Sequence, residues 1–264
     1  MILIISNDER MKFLAEYLAN SFDVVNYNPE NSEIDSNILH KVRYFIMPFG
    51  GVHEGNQIHE IVKNLPDECI ILTPMKHDIL NDVNQKVEVI FSHNEIAIYN
   101  SIPTAEGVIY HIIKNTNITI HNANILVFGA GRCGQTIAKS LKSLGAFVTI
   151  SETDESSVAR MYESGIATFD SEEHNLGNFD VIVNTVPSQV LTKENLIHVD
   201  KDCYIIDIAT KPGGVDFEAC TELGINAQLV PALPSMIAPK TAAYYLFRFV
   251  KRYVEEGENL DGWL

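Results

Sequence analysis

The segment NILVFGAGRCGQTIAKSLKSLGAFVTISETD, residues 124–154, constrains the fold of this chain more than any other. An apolar run leads into Gly129, Gly131 and Gly134 at G-x-G-x-x-G spacing, a helical pattern follows, and a second apolar run ends in acid. A strand, a tight turn, a helix and a second strand satisfy that order. The first glycine makes the turn, the second lets a pyrophosphate approach the backbone, and the third lets the helix lie close to the strand. The helix N-terminus then offers unpaired N–H groups and the positive end of its dipole to phosphates. The segment predicts a Rossmann unit for NAD or NADP, with Gly129, Gly131, Arg132, Cys133 and Gly134 along the pyrophosphate; for Arg132 a plain surface position is the alternative. Glu152 stands roughly twenty residues on, where a carboxylate accepts from the adenosine ribose hydroxyls. That placement favours NAD, because a carboxylate repels the 2′-phosphate of NADP; a plain solvated acidic loop with Asp154 and Glu155 is the alternative.

Ahead of the motif, short apolar runs (MILII, DVVNY, RYFIMPF, CIILT, VEVIF) alternate with helical patterns, which argues for βα units on a parallel sheet. The expected organisation is α/β with two doubly wound domains and a cleft between them, the second being the Rossmann dinucleotide-binding domain. Residues 1–98 form a flavodoxin-like domain, 99–123 a bridging helix and linker, 124–240 the Rossmann domain, and 241–264 a C-terminal helix packing back on the first domain. Ser101, with Pro103 and Glu106 behind it, reads as the opening of the bridging helix. The turn ISNDER after the first strand has no glycine, so a dinucleotide is not expected there.

Charge narrows the partners. Nineteen Lys and Arg against 35 Asp and Glu give −16, so a nucleic-acid backbone or an anionic membrane surface is repelled. An anionic ligand must be captured by a helix N-terminus or by individual cations. The four cysteines form no CxxC pair and no metal-ligand spacing, His53 and His59 lack HExxH spacing, and no metal is expected. The opening MILIISNDER turns acidic too early for a signal peptide, and no apolar stretch reaches membrane-spanning length, so a cytoplasmic protein is expected.

Three further loops fall where a Rossmann sheet presents its strand ends, the ligand side of open α/β sheets. NTVPS (184–188) carries Thr185, Val186 and Pro187 past the nicotinamide ribose, with Ser188 beside them; DIATKPGG (207–214) carries Lys211; VPALPSMIAPKTA (230–242) carries Ser235, Lys240 and Thr241. Rigid proline-containing loops beside a cofactor tend to hold substrate. For Lys211 and Lys240, surface or capping roles remain open beside substrate binding.

Together, IAIYNSIPTAEG (96–107), FGAGRCGQTIAKSLKSLGA (128–146), VNTVPS, IDIATKPGGVDF and LVPALPSMIAPKTA resemble the A subunit of dipicolinate synthase from spore-forming Gram-positive bacteria, from about Ile96 to the last helix. The resemblance implies oxidation of a dihydrodipicolinate-level intermediate of the lysine pathway to dipicolinate with NAD or NADP. It also implies a partner, the flavoprotein-like B subunit, and a place in the cytoplasm of the sporulating mother cell. Homo-oligomerisation is left open. A small dicarboxylate substrate asks for cationic and hydroxyl partners, for which Lys211, Lys240, Thr241, Ser235 and Ser188 are candidates, with Asn100, Ser101 and Thr104 on the bridging helix for the far carboxylate. Lys211 stands where that family commonly has Arg, keeping charge but losing the bidentate fork. No residue declares itself the general base. The rival readings are a dehydrogenase of the alanine, shikimate or methylenetetrahydrofolate type and a non-catalytic NAD-binding regulatory protein.

Overall fold

Runs such as ILII and VIVN are apolar along their length, as strands covered on both faces require, and the computed structural model places them inside two parallel sheets. The structure describes residues 1–29, 34–169 and 175–256. Two units result: Met1–Tyr99 with the chain from Ala238 onward, and Asn100–Ile237.

In the first unit, β1 (Ile2–Ile5), α1 (Glu9–Ala19), β2 (Val24–Tyr27), α2 (Ser36–Leu39), β3 (Tyr44–Ile46), α3 (Gln57–Lys63), β4 (Ile70–Thr73) and β5 (Lys86–Val89) build a sheet of order β2-β1-β3-β4-β5. This is the strand order of flavodoxin-type sheets. Asp8 and Asn56 start α1 and α3 by accepting the N–H groups of Met11 and His59, each meeting one of the unpaired donors of a first turn.

Helix α4 (Asn94–Asn115) begins well ahead of Ser101 and carries Pro103 inside it. Ser101 is not a cap; its side chain is fully buried. Pro103 has no N–H to offer the carbonyl of Tyr99, so the Ser-x-Pro pattern that mimics a helix start is here a local gap in a continuous helix.

The second unit continues with β6 (Asn124–Phe128), α5 (Arg132–Ser143), β7 (Phe147–Ser151), α6 (Glu155–Glu163), β8 (Ala167–Thr168), β9 (Val181–Asn184), α7 (Lys193–Leu196), β10 (Tyr204–Asp207), α8 (Phe217–Leu223), β11 (Asn226–Leu229) and α9 (Leu233–Ile237). Its sheet runs β11-β10-β9-β6-β7-β8, all parallel. Strand order reverses between β6 and β9, the Rossmann topology with its ligand crevice at that reversal. The register pairs Phe128 with both Ser151 and Asn184, and Asn184 with Asp207, so four strands end level and their following loops start side by side.

Alternation along the strands divides the core. Ile125, Val127 and Val183 meet α4 and α5 through Val108, Ile112, Ile137 and Leu141, while Leu126, Ile182 and Ile205 meet α8 on the opposite face. In the first unit, α10 (Pro239–Glu256) lays Leu246, Phe249, Val250 and Tyr253 against Met11, Leu14 and Leu18 of α1. Burying each such side chain contributes on the order of 1.5–3 kcal/mol. Cys69 and Cys203 are buried and free, and burial pushes both thiols up to about 12, so they serve as small core residues.

Candidate dinucleotide site

The site is built at the reversal between β6 and β9. Gly129 holds φ +90°, and a Cβ there would lie 2.5 Å from Thr185 Oγ1 and 2.9 Å from Val186 Cγ2. Its conformation and the close approach of the neighbouring loop both demand glycine. Gly134 is fixed by contact: a Cβ would fall 1.9 Å from the Gly129 carbonyl oxygen. Gly131 differs from both. It is the extended N-cap of α5 at φ −68°, exposed, with nothing within 4 Å of a Cβ. Nothing in the protein requires glycine there, whereas a phosphate resting on the backbone does.

No side chain caps α5 at Gly131, whereas α1, α3, α6 and α8 are capped by Asp8, Asn56, Asp154 and Asp216. The start of α5 therefore keeps its N–H groups and dipole for an anion. Cys133 lies half-buried in this first turn; burial pushes its thiol up, opposed by the charge of Arg132. Arg132 is exposed, and its carbonyl accepts from Thr136 Oγ1.

Glu152 follows β7. Its Oε2 accepts the Ala130 N–H at 2.7 Å, and its Oε1 accepts the N–H groups of Thr153 at 2.7 Å and Asp154 at 3.0 Å. Burial pushes this carboxyl up, but the three backbone donors outweigh that and hold it below the usual carboxylate range. The acid is thus charged and already turned toward the glycine turn.

Across the crevice, Thr185 donates both its N–H and its hydroxyl to the Phe128 carbonyl, and Val186 N–H is accepted by the Asn184 side chain. Pro187 and Ser188 are exposed. Lys211 is exposed in the turn between Thr210 and Gly213, whose N–H bonds the Thr210 carbonyl. Ser235 donates to the carbonyl of Ala232, a non-glycine residue at φ +60°; such a left-handed residue costs about 1 kcal/mol. Asn100 is half-buried, and its carbonyl accepts the Thr104 hydroxyl. Ser101 pairs with Thr136 Oγ1 at 2.6 Å, fastening α4 to α5. Lys240 and Thr241 lie exposed in the first turn of α10, in the first unit. Among the described residues neither Lys211 nor Lys240 pairs with a carboxylate, and no cluster of His, Cys, Asp or Glu is arranged to hold a metal. Likewise no helix among the described residues is long and apolar enough to cross a membrane.

Two residues central to this arrangement escape a reading of the sequence. Asn184 and Asp207 end β9 and β10, are fully buried, and bond each other at 3.0 Å. Their signal in the sequence is slight: one polar residue closing an otherwise apolar strand, VIVN and YIID.

Residues 106–213 match the model of the NAD-binding domain of D-isomer specific 2-hydroxyacid dehydrogenases. Over 203 residues the sequence is 35% identical to the A subunit of dipicolinate synthase from Bacillus subtilis (strain 168), covering 75% of this chain and 68% of that protein. The chain belongs to the family of dipicolinate synthase A subunits. Crystal structures of family members agree: the protein from Bacillus halodurans superimposes with a TM-score of 0.83 at 30% identity over 96% of this chain and 97% of that one. The Bacillus subtilis protein gives 0.83 at 28% identity over 97% and 95%. With the glycine turn in place, the protein is an NAD(P)-binding oxidoreductase of the dehydrogenase type.

Proposed function

We propose that this protein is the oxidoreductase component of a dipicolinate synthase. It oxidises a dihydrodipicolinate-level intermediate of the lysine pathway to dipicolinate in the cytoplasm of a sporulating mother cell, beside a flavoprotein-like B subunit. Family membership supports the substrate class. Within the site, the supporting observation is Gly131, a glycine for which the protein has no internal need and a bound pyrophosphate does.

The residues fit the cofactor as a set. The start of α5 meets the pyrophosphate, Glu152 the adenosine ribose, and Thr185, Val186 and Pro187 the nicotinamide side. When bound, NAD(P) supplies the hydride acceptor for a two-electron oxidation whose remaining proton leaves to solvent or a base. The charge on Glu152 selects NAD over NADP. Lys211, Lys240 and Thr241, with Ser188 and Ser235, are the groups offered to the two substrate carboxylates. The Ser101 and Thr104 hydroxyls have protein partners already, so of the bridging-helix trio Asn100 is the more available.

Turnover tests the reading. The purified chain is expected to reduce NAD when given enzymatically generated dihydrodipicolinate, with dipicolinate appearing in equal amount. Reduction that occurs only with the B subunit present gives the redox step to the complex, and no dipicolinate under either condition overturns the proposal.

A further inference from the structure

Asn184 and Asp207 are polar, wholly buried, and far better connected than a core-filling role needs. Asp207 Oδ1 accepts from Asn184 Nδ2 at 3.0 Å and from Ala209 N–H at 2.9 Å, while its Oδ2 accepts from Gly214 N–H at 2.7 Å. Asn184 uses its remaining capacity on the other loop: Nδ2 donates to the Val186 carbonyl at 2.9 Å, and Oδ1 accepts the Val186 N–H at 3.0 Å. The pair thus grips one loop on each side, 185–188 after β9 and 208–214 after β10.

The two glycines of the second loop fit that grip. A Cβ on Gly213, at φ +90°, would lie 2.6 Å from Asp207 Oδ2. A Cβ on Gly214 would lie 2.6 Å from Asn184 Nδ2 and from the carbonyl oxygens of Val186 and Ser188. Val190 and Leu191 N–H groups both bond the Gly214 carbonyl, closing the loops on each other. Every hydrogen bond these two side chains make among the described residues is directed at loop backbone or at the partner, in a site where an unpaired polar group is costly. Thr185–Val186 and Lys211 are carried on one block with that pair at its base.

We infer that Asn184 and Asp207 are positioning residues that lock the nicotinamide-side loop and the Lys211 loop into a single unit, so that cofactor and substrate contacts are set together. The inference rests on the proposed placement of nicotinamide beside 185–187 and of substrate at Lys211. Neither residue touches a ligand; each acts through the loops. Thr185 is fastened to the glycine turn by its own two bonds to the Phe128 carbonyl, so ligands confined to that turn depend less on Asn184 and Asp207.

The test compares ligands that use different parts of the crevice. Asp207→Asn replaces an acceptor by a donor facing the Ala209 or Gly214 N–H, and Asn184→Ala removes the grip on Val186 and the bond to Asp207 Oδ1 while leaving Ala209 and Gly214 bonded to Asp207, a milder variant should the first fold poorly. Dissociation constants for ADP and for NAD are measured by calorimetry on wild type and both variants, then for dipicolinate on the NAD complex, alone and in a Lys211→Ala background. The expected result is ADP binding within about twofold of wild type, NAD weakened about tenfold or more in both variants, and an Asp207→Asn effect on dipicolinate that vanishes once Lys211 is alanine. Equal losses for ADP and NAD, or unchanged NAD binding, overturn the inference, as does an Asp207→Asn effect on dipicolinate that persists without Lys211. If wild type fails to bind dipicolinate at all, the substrate reading fails instead, and the ADP against NAD comparison still decides the positioning role.

Discussion

The carboxylate of Glu152 lies 2.7 Å from the amide nitrogen of Ala130, joining the acid after β7 to the glycine turn after β6. With Thr153 and Asp154 it draws three N–H donors, while a carboxylate has about four lone-pair positions. The Thr153 hydroxyl is a fourth, longer donor at 3.5 Å; the charge is thus held in place by the backbone, and a ribose hydroxyl would take the position of that long bond.

Glu152→Gln is therefore expected to blur the choice of cofactor. Wild type should bind NAD more tightly than NADP. Removing a charge near the 2′-phosphate should narrow that ratio by roughly tenfold, in line with about 1–4 kcal/mol for two charges near contact in water or at a protein surface. Titrations of both cofactors check it, and an unchanged ratio means selection resides elsewhere.

The two exposed-versus-packed glycines of the motif should separate binding from folding. A Cβ at Gly131 meets no atom within 4 Å, so the Gly131→Val protein should melt within a few degrees of wild type and lose NAD binding. Gly134→Ala drives a methyl into the Gly129 carbonyl and should destabilise by about 1–3 kcal/mol. Thermal melts with and without NAD read both; a Gly131→Val protein that still binds NAD removes the pyrophosphate assignment.

What is legible in the sequence divides from what is not along physical lines. The Rossmann sheet is legible because its glycines, its apolar strands and its acid at Glu152 are each a local requirement written in consecutive residues. The start of α4 is not, because Ser101 and Pro103 imitate a cap while the decision is made by burial against Thr136, a residue distant in sequence. Asn184 and Asp207 stay hidden for the same reason: a pairing across neighbouring strands leaves no spacing along either one.

The two lysines should differ from the glycine motif in what they affect. Lys211→Ala and Lys240→Ala are each expected to weaken dipicolinate binding to the NAD complex about tenfold while leaving NAD affinity within about twofold, as suits a charged hydrogen bond worth about 1.5–3 kcal/mol. Lys211→Arg should keep or improve binding, since the guanidinium adds a bidentate fork. Equal losses of NAD and dipicolinate would make either lysine a structural residue.

His111 predicts an acid sensitivity. It is buried in α4 with neither ring nitrogen hydrogen-bonded among the described residues, beside the Tyr110 ring. Burial, and then the charge of Lys114, hold its pKa below the usual imidazole value of 6.5. A base with a depressed folded pKa is neutral in the native state while the unfolded chain takes up a proton. Its contribution to stability is complete above about pH 6.5 and lost as pH falls toward the folded pKa. Wild type should therefore lose melting temperature between about pH 7.5 and 5.5. His111→Leu, which replaces an unpaired polar ring with an apolar side chain, should match or exceed wild type at about pH 7.5 and fall less on acidification. Parallel falls in the two proteins would assign the acid sensitivity to other groups.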